Sequence, residues 1–290
     1  MLDLSGKVAV ITGAGSGIGR GIALALARAG ADIAASDIDL ESARETAELV
    51  RALGRQALAE RVDVRDGDAL RMLANSTVRK LGRLDICVAN AGIGRFGSVL
   101  TLPLEEWQAV VDINLTGVFL TVQACGREMV RLGNGGRVLV MSSLAAEVAS
   151  PRWAAYNATK AAVRHATRSW AFDLAPFGIT VNAIGPGWVD TPLLDQIPGR
   201  SGDRADFAQM VPLGRVADAE RDIGALAVWL ASDAASYVTG GYHVIDGGLH
   251  DGGAASVAAV ALRELAAQHR GDDLLAALEQ REAELRGQSA

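Results

Sequence analysis

Short apolar runs alternate with longer amphipathic segments along most of the chain. Most of the short runs are apolar at every position, which a strand needs when helices cover both faces of its sheet. Regular alternation of strands and helices favours right-handed crossovers between parallel strands. The pattern therefore predicts an α/β fold, a doubly wound parallel sheet of about seven strands with helices on both faces. The predicted strands are Val8–Thr12, Ile33–Asp37, Ala57–Val62, Ile86–Ala89, Arg137–Met141, Thr180–Ile184 and Tyr242–Ile245.

The segments between these strands carry apolar residues at helical spacing. We expect helices over Ile18–Ala29, Leu40–Leu53, Trp107–Leu132, Tyr156–Leu174 and Arg221–Leu230.

The composition shifts once, after Gly247 and Gly248. Two helical patterns rich in Ala, Leu, Glu and Arg follow, over Ser256–His269 and Asp273–Arg286. We therefore predict one domain over residues 1–250 and a helical C-terminal extension over residues 251–290. The leucine stripe of the second tail helix is expected to pack on a neighbouring subunit or over the active-site entrance.

Charge and composition exclude several classes of function. Half of the 290 residues are hydrophobic and the net charge is −6, without a dense run of Lys or Arg, so no nucleic-acid partner is expected. No run of about 18 uncharged apolar residues predicts a membrane span, and the apolar run near the N-terminus is too short for a signal peptide. Cys87, Cys125 and the four histidines have no metal-ligand spacing. We expect a cytoplasmic protein without a metal.

A glycine-rich loop follows the first predicted strand and opens the first predicted helix. It reads Thr12-Gly-Ala-Gly-Ser-Gly-Ile-Gly19, with Gly13, Gly17 and Gly19 in the pattern T-G-x-x-x-G-x-G. Glycines allow a tight turn and let a pyrophosphate approach the backbone. The free N–H groups and the positive end of the helix dipole favour a phosphate. The loop predicts a dinucleotide site that includes Ser16 and Ile18.

Asp37 ends the second predicted strand, 18 residues beyond Gly19. An acid at this place accepts hydrogen bonds from the ribose hydroxyls and repels a 2′-phosphate. Ser16 is neutral, whereas a basic residue there would indicate NADP. These residues favour NAD as the cofactor.

Tyr156 and Lys160 lie one turn apart on a predicted helix, and Ser143 lies 13 residues upstream at the end of a predicted strand. A phenol with its ordinary pKa of about 10 is a poor base at neutral pH. An ammonium one turn away favours the phenolate, so we expect Lys160 to lower the pKa of Tyr156. A phenol tuned in this way takes a proton from an alcohol as hydride leaves, or returns it in the reverse reaction.

In this order, the glycine loop, Ser143, Tyr156 and Lys160 resemble the short-chain dehydrogenase/reductase family over about residues 4–249. The resemblance implies a Rossmann-like fold, a homodimer or homotetramer, and Tyr156, Lys160, Ser143 and Asn114 as catalytic residues. Asn114 would hold a water that relays protons through Lys160. The resemblance further implies that Asp63 and Val64 flank the adenine, that Asn90 supports the sheet and contacts the ribose on the nicotinamide side, and that Val189 and Thr191 contact the carboxamide.

Residues near the catalytic group are candidates for substrate binding: Ser143, Ala145, Trp153 and Trp188. The two tryptophans would supply an apolar or stacking wall. Pro192 to Arg215 has the mixed composition of a substrate lid. We expect an NAD-dependent enzyme that interconverts a secondary alcohol (a sugar, polyol or cyclic alcohol) and its ketone. A 3-oxoacyl-thioester reductase and a non-catalytic NAD-binding sensor or scaffold remain the alternatives.

Overall fold

A computed structural model describes residues 2–197, 203–252, 267–271, 273–274, 276–277 and 280. Within them, seven strands form one sheet in the order β3-β2-β1-β4-β5-β6-β7, and every neighbouring pair is parallel. The strands are β1 Val8–Thr12, β2 Asp32–Asp37, β3 Ala57–Arg61, β4 Ile86–Ala89, β5 Gly136–Met141, β6 Ile179–Pro186 and β7 Tyr242–Ile245.

The α-helices are α1 Gly17–Arg28, α2 Leu40–Ala52, α3 Gly67–Leu81, α4 Leu104–Val111, α5 Val118–Leu132, α6 Ala154–Leu174, α7 Pro192–Asp195, α8 Arg204–Met210, α9 Ala225–Ala231 and α10 Leu249–Gly252. Two π-helical segments, Asp112–Gly117 and Ala219–Gly224, lead into α5 and α9. Short 3-10 helices cover Leu144–Ala146, Ala175–Phe177 and Asp233–Ala235.

The core lies in two layers, one on each face of the sheet. In β1, Ile11 packs with Ile22 of α1 on one face. Val10, its neighbour in the chain, packs on the other face with Leu73 of α3 and Val163 of α6. Successive side chains of a strand point to opposite faces. An apolar residue at every position of β1 is therefore what a sheet covered on both faces requires.

The strand order reverses between β1 and β4, because β1 pairs with β2 on one side and with β4 on the other. In open parallel sheets, ligands bind beyond the carboxyl ends of the strands at such a switch point. The fold thus places a crevice next to the glycine-rich loop that follows β1.

The predicted fold class is confirmed, and each predicted strand is present within two residues of its expected bounds. The predicted helix Trp107–Leu132 begins earlier and contains a π-helical turn, since the structure has one composite helix over Leu104–Leu132. That helix is long and apolar enough to cross a membrane by length and composition alone, and half of its most apolar stretch is buried, as in a core helix.

The C-terminal extension is described in part. Residues 267–268, 271, 273–274, 276–277 and 280 are helical and residues 269–270 are not. Most of the two predicted tail helices lies outside the described residues, so the proposed domain boundary at residue 250 stays a prediction. The same holds for the predicted lid, of which α7 and α8 are described and residues 198–202 are not.

Candidate active site

A cleft of about 670 Å³ opens at the carboxyl ends of the strands. It runs from the glycine-rich loop across the ends of β2 and β4 to the segment after β6. Every residue predicted to bind the cofactor lines it: Gly13, Ser16, Gly17, Ile18, Gly19, Asp37, Asp63, Val64, Asn90, Tyr156, Lys160, Val189 and Thr191.

The glycine-rich loop forms a cradle that side chains would fill. Gly13 and Gly17 have φ angles of +64° and +51°, in the left-handed region that favours glycine. A Cβ added at Gly13 would lie 2.8 Å from the Cα of Ala91. Asn90 holds the loop from the other side, because its Nδ2 donates to the carbonyls of Thr12 and Gly13 at 3.0 and 3.1 Å. The cradle at the start of α1 fits a dinucleotide phosphate.

Asp37 is fixed at the carboxyl end of β2, on the wall of the cleft. Its Oδ2 accepts the N–H of Gly15 at 2.9 Å, and its Oδ1 accepts the N–H of Asp39 at 3.1 Å. These two bonds hold the carboxylate next to the glycine-rich loop. A ribose 2′-hydroxyl can donate to a carboxylate in this place, and a 2′-phosphate would meet its negative charge.

Asp63, at the predicted adenine end, is paired with Arg65, which the sequence did not single out. Arg65 Nε and Nη2 donate to the two carboxylate oxygens at 3.0 and 2.5 Å. The hydrogen bonds from Arg65 lower the pKa of Asp63. Both residues line the cleft, so a base at this end would meet an ion pair and not a lone acid.

Tyr156 and Lys160 lie together at the centre of the cleft, on α6. Both are buried, with 8% and 3% of their surface exposed. Lys160 Nζ lies 5.5 Å from the centre of the Tyr156 ring and donates to the carbonyl of Met141 at 2.8 Å. Burial lowers the pKa of Lys160 to about 8. α6 and the end of β5 thus hold an ammonium beside a phenol.

The expected fall in the pKa of Tyr156 is not found. Burial raises the pKa of Tyr156, and a hydrogen bond with Ser143 lowers it by a smaller amount. A buried phenolate loses its hydration, and Lys160, buried beside it, directs its Nζ to the Met141 carbonyl. The buried phenol is therefore a proton donor at neutral pH.

Ser143 lies where β5 gives way to the 3-10 helix Leu144–Ala146. Its Oγ accepts the N–H of Ala145 at 3.2 Å, and its backbone carbonyl accepts the hydroxyl of Tyr242 at 2.7 Å. The Arg164 guanidinium stacks 4.5 Å over the Tyr242 ring. Sequence reasoning missed Tyr242, because nothing in the order of residues pairs β7 with the end of β5.

Asn114 is fully buried in the π-helical segment and does not line the cleft. Its Oδ1 accepts the N–H of Ile93 at 2.8 Å, and its Nδ2 donates to the carbonyl of Ile93 at 2.9 Å. A Cβ added at Gly92 would lie 3.3 Å from this Oδ1 and 3.5 Å from Lys160 Nζ. The side chain thus fixes the backbone after β4, next to the lysine. The expected water relay stays a prediction.

The four residues predicted to bind substrate separate into two groups. Ser143, Trp153 and Trp188 line the cleft. Ala145 lies in the 3-10 helix after Ser143, where its backbone N–H donates to Ser143 Oγ, and it is not among the residues that line the cleft. Its contact with substrate stays a prediction.

An aromatic row flanks Tyr156. Ring centres of Trp153 and Tyr156 are 5.5 Å apart, and those of Trp153 and Trp188 are 6.3 Å apart. Phe96 lies 4.7 Å from Trp153, and Phe207 of α8 lies 5.0 Å from Trp188. The Nε1 of Trp188 is buried without a hydrogen-bond partner among the residues that the structure describes. The sequence identified both tryptophans, but not the phenylalanines behind them.

Comparison with known proteins agrees with this arrangement. A family model described as Enoyl-(Acyl carrier protein) reductase matches residues 13–250. The crystal structure of a short-chain type dehydrogenase/reductase from Mycobacterium marinum is similar, with a TM-score of 0.81, 40% identity, and coverage of 86% of this chain and 97% of that one.

Two further solved structures resemble the chain and differ in cofactor. Carveol dehydrogenase from Mycobacterium avium, solved in complex with NAD, has a TM-score of 0.80 and 38% identity, covering 85% of this chain and 98% of its own. Gluconate 5-dehydrogenase from Burkholderia cenocepacia, solved with NADP and tartrate, has a TM-score of 0.80 and 34% identity, covering 86% of this chain and 97% of its own.

Proposed function

The chain belongs to the short-chain dehydrogenase/reductase family of oxidoreductases, which act on CH–OH groups, and from this premise we propose that it interconverts a secondary alcohol and its ketone with NAD. Tyr156 is the acid and base of this reaction. The observation that supports it is the shared cleft: the phosphate cradle and the buried pair of Tyr156 and Lys160 line one continuous wall.

Ser143, Tyr156 and Lys160 have separate roles in the proposed reaction. The chemistry that NAD supplies when bound is acceptance of a hydride from the alcohol carbon, or its return to the ketone carbon. Ser143 donates a hydrogen bond to the substrate oxygen. The Tyr156 phenolate takes the alcohol proton during oxidation, and the phenol returns it during reduction. The Lys160 ammonium, 5.5 Å from the ring centre, stabilises the phenolate.

Substitution of Tyr156 tests the mechanism. Tyr156→Phe is expected to lower kcat at least about a hundredfold, the usual contribution of a positioned acid or base. Its affinity for NADH, measured by fluorescence titration, is expected to fall far less than kcat, because the glycine-rich loop and Asp37 are untouched. Tyr237→Phe is the matched control, since Tyr237 is fully exposed and away from the cleft. Full turnover in Tyr156→Phe would refute the mechanism.

Preference for NAD rests on Asp37. Its carboxylate lies on the cleft wall, bonded to the N–H of Gly15 at 2.9 Å, where a 2′-phosphate would meet a negative charge. We expect kcat/KM for NAD to exceed that for NADP by at least about tenfold, and Asp37→Ser to reduce the ratio. An unaltered ratio in this variant would mean that another residue selects the cofactor.

A reductase of 3-oxoacyl thioesters is the second candidate. A 3-oxoacyl-[acyl-carrier-protein] reductase from Thermotoga maritima is 37% identical to this chain over 246 residues, and this similarity favours it. Assay of a 3-oxoacyl thioester with NADH and NADPH, beside simple ketones, separates the two functions. The retained Tyr156, Lys160 and Ser143 oppose a third function, a non-catalytic NAD-binding scaffold.

Assembly and cellular location are part of the same proposal. The outer faces of α5 and α6 carry exposed aromatic side chains, Phe119 and Phe172, at 42% and 80% exposure. Burial of such surface between subunits favours a homodimer or homotetramer, working in the cytoplasm. Light scattering coupled to size-exclusion chromatography gives the subunit number, and a monomer would contradict the proposed assembly.

A further inference from the structure

We propose that the substrate end of the cleft binds an uncharged apolar ring, so that the substrates are cyclic secondary alcohols and their ketones. This inference rests on the proposed function and narrows its substrate class. It excludes polyols, sugar acids and other substrates whose hydroxyl or carboxylate groups would face the wall beyond the catalytic serine and tyrosine.

Aromatic side chains that pack on one another fix the shape of the wall at the substrate end of the cleft. Trp188 is held between Trp153 at 6.3 Å and Phe207 at 5.0 Å, measured between ring centres. Phe207 is fully buried and supports the indole from behind. Trp153 in turn meets the Tyr156 ring edge-on at 83°. A flat or chair-shaped ring that presents its oxygen to Tyr156 would therefore lie against preorganised aromatic surface.

Aliphatic side chains continue the same surface. Leu193 and Leu194 of α7 line the cleft. The Leu193 methyl group lies 3.2 Å from the position of a Cβ at Gly94, and the end of the Phe96 ring lies 2.8 Å from it. The lack of a side chain at Gly94 therefore lets Leu193 and Phe96 approach each other there.

Apart from the unpartnered Nε1 of Trp188, the described residues place few polar groups at this end of the cleft. Arg95 lines the cleft, but its Nε lies 2.6 Å from a carboxylate oxygen of Glu106 and its Nη1 donates to the carbonyl of Gly94 at 2.9 Å. The carboxylate of Glu106 thus balances the charge of Arg95. Gln196, which follows α7 and also lines the cleft, is exposed. Within the described residues, a substrate carboxylate thus meets no free cation here.

The loss of water on binding lets this apolar lining distinguish apolar rings from hydroxylated substrates. A hydroxyl that leaves water for an apolar wall without gaining a partner loses about tenfold in binding. An apolar ring gains from the same wall, because its surface leaves water and packs on the indoles. The two effects act in the same direction, so a plain ring alcohol and a ring polyol should differ strongly.

A substrate series tests the proposal in the full-length enzyme with NAD. The series is cyclohexanol, propan-2-ol, inositol and 4-hydroxycyclohexanecarboxylate, with kcat and KM measured for each. We expect kcat/KM for cyclohexanol to exceed that of each other compound by at least about tenfold. Calorimetric titration of cyclohexanone into the complex with NAD+, which cannot turn over, is expected to show binding that inositol does not.

Variants of Trp188 identify the wall as the cause. Trp188→Leu is expected to raise KM for cyclohexanol about tenfold with little change in kcat, because the lost contact is the same in ground and transition states. Trp188→Phe keeps a ring and is expected to recover most of this loss. Trp229→Leu is the matched control, since its indole packs on His243 outside the cleft.

The outcomes separate this inference from the function on which it rests. Turnover of propan-2-ol that requires Tyr156, without a preference for cyclohexanol, would overturn the ring proposal and leave the function intact. Absence of turnover with every alcohol and ketone would refute the function itself. A loss in Trp188→Phe as large as in Trp188→Leu would show that the substrate uses the buried indole N–H, which also contradicts an apolar ring.

Discussion

Replacement of the buried Lys160 by methionine is expected to stabilise the folded protein and to abolish its catalytic activity. Lys160 is 3% exposed, and burial lowers its pKa from 10.5 to about 8. This difference corresponds to about 3 kcal/mol at 1.36 kcal/mol per pH unit, which is the cost of keeping the buried ammonium charged at pH 7. Lys160→Met removes this cost and leaves the Met141 carbonyl without its donor, a loss of about 1–2 kcal/mol. The net expected gain is about 1 kcal/mol.

The pH dependence identifies the source of the gain. A lysine whose pKa is lower in the folded state than in the unfolded state destabilises the fold fully below the folded pKa. The cost fades as pH rises through the interval from about 8 to 10.5. It should fall from about 3 kcal/mol at pH 7 to about 1 kcal/mol at pH 10. The stability of wild type relative to Lys160→Met should therefore improve by about 2 kcal/mol over this range.

Urea unfolding of the two proteins without cofactor, followed by circular dichroism at pH 7, 8, 9 and 10, measures this difference. Lys80→Met is the matched control, because the Lys80 side chain is 48% exposed and pairs with Glu60 at the surface. Its difference from wild type is expected to stay flat with pH. If the difference in unfolding free energy between wild type and Lys160→Met is also independent of pH, burial does not destabilise the charged form of Lys160. That result would refute the argument from burial.

Three further predictions concern the hydroxyls of Ser143 and Tyr242 and the glycine-rich loop. Ser143→Ala removes the hydrogen bond that lowers the pKa of Tyr156, so the rise of the alcohol oxidation rate with pH should move to higher pH, and an unmoved profile would contradict this. Tyr242→Phe removes the hydroxyl bonded to the Ser143 carbonyl at 2.7 Å. The free energy of unfolding should fall by about 1 kcal/mol, the usual worth of one hydrogen bond. In the same variant kcat should fall about tenfold, because Ser143 is held less firmly, and an unchanged kcat would contradict this. Gly13→Ala should abolish NADH binding and destabilise the fold by more than Gly54→Ala. Both glycines have positive φ (64° and 76°), but of the two only Gly13 has backbone atoms where the new Cβ would lie. Equal losses of stability in chemical denaturation would refute the steric explanation.

Much of the fold was readable from the sequence because uniformly apolar strands leave little choice. β1, β4 and β7 have the expected bounds, and the other strands differ by one or two residues at their ends. α3 was not among the predicted helices, although Asp66 caps its start and Gly82 its end. The π-helical turn over Asp112–Gly117 has no marker in the helical periodicity, since an inserted residue changes the spacing only locally.

The candidate site, like the fold, was predictable from the sequence only in part. Motif spacing identified the residues of the cofactor cleft, because each follows the end of a strand and parallel strands end at one edge. The pKa of Tyr156 was predicted in the wrong direction, because spacing places Lys160 near the phenol but does not give the depth of burial of either group. Contacts between distant segments, such as Tyr242 with Ser143, lay beyond any local pattern.

The reversal of strand order between β1 and β4 divides the cleft along the chain. Residues up to about Asp63 build the end predicted to hold the adenine and the phosphates, and residues from Ile93 onward build the end predicted to hold the nicotinamide and the substrate. Mutations in the first part of the chain therefore act on the nucleotide end and leave the substrate end in place. A recombination near Asn90 would exchange these two parts of the cleft separately.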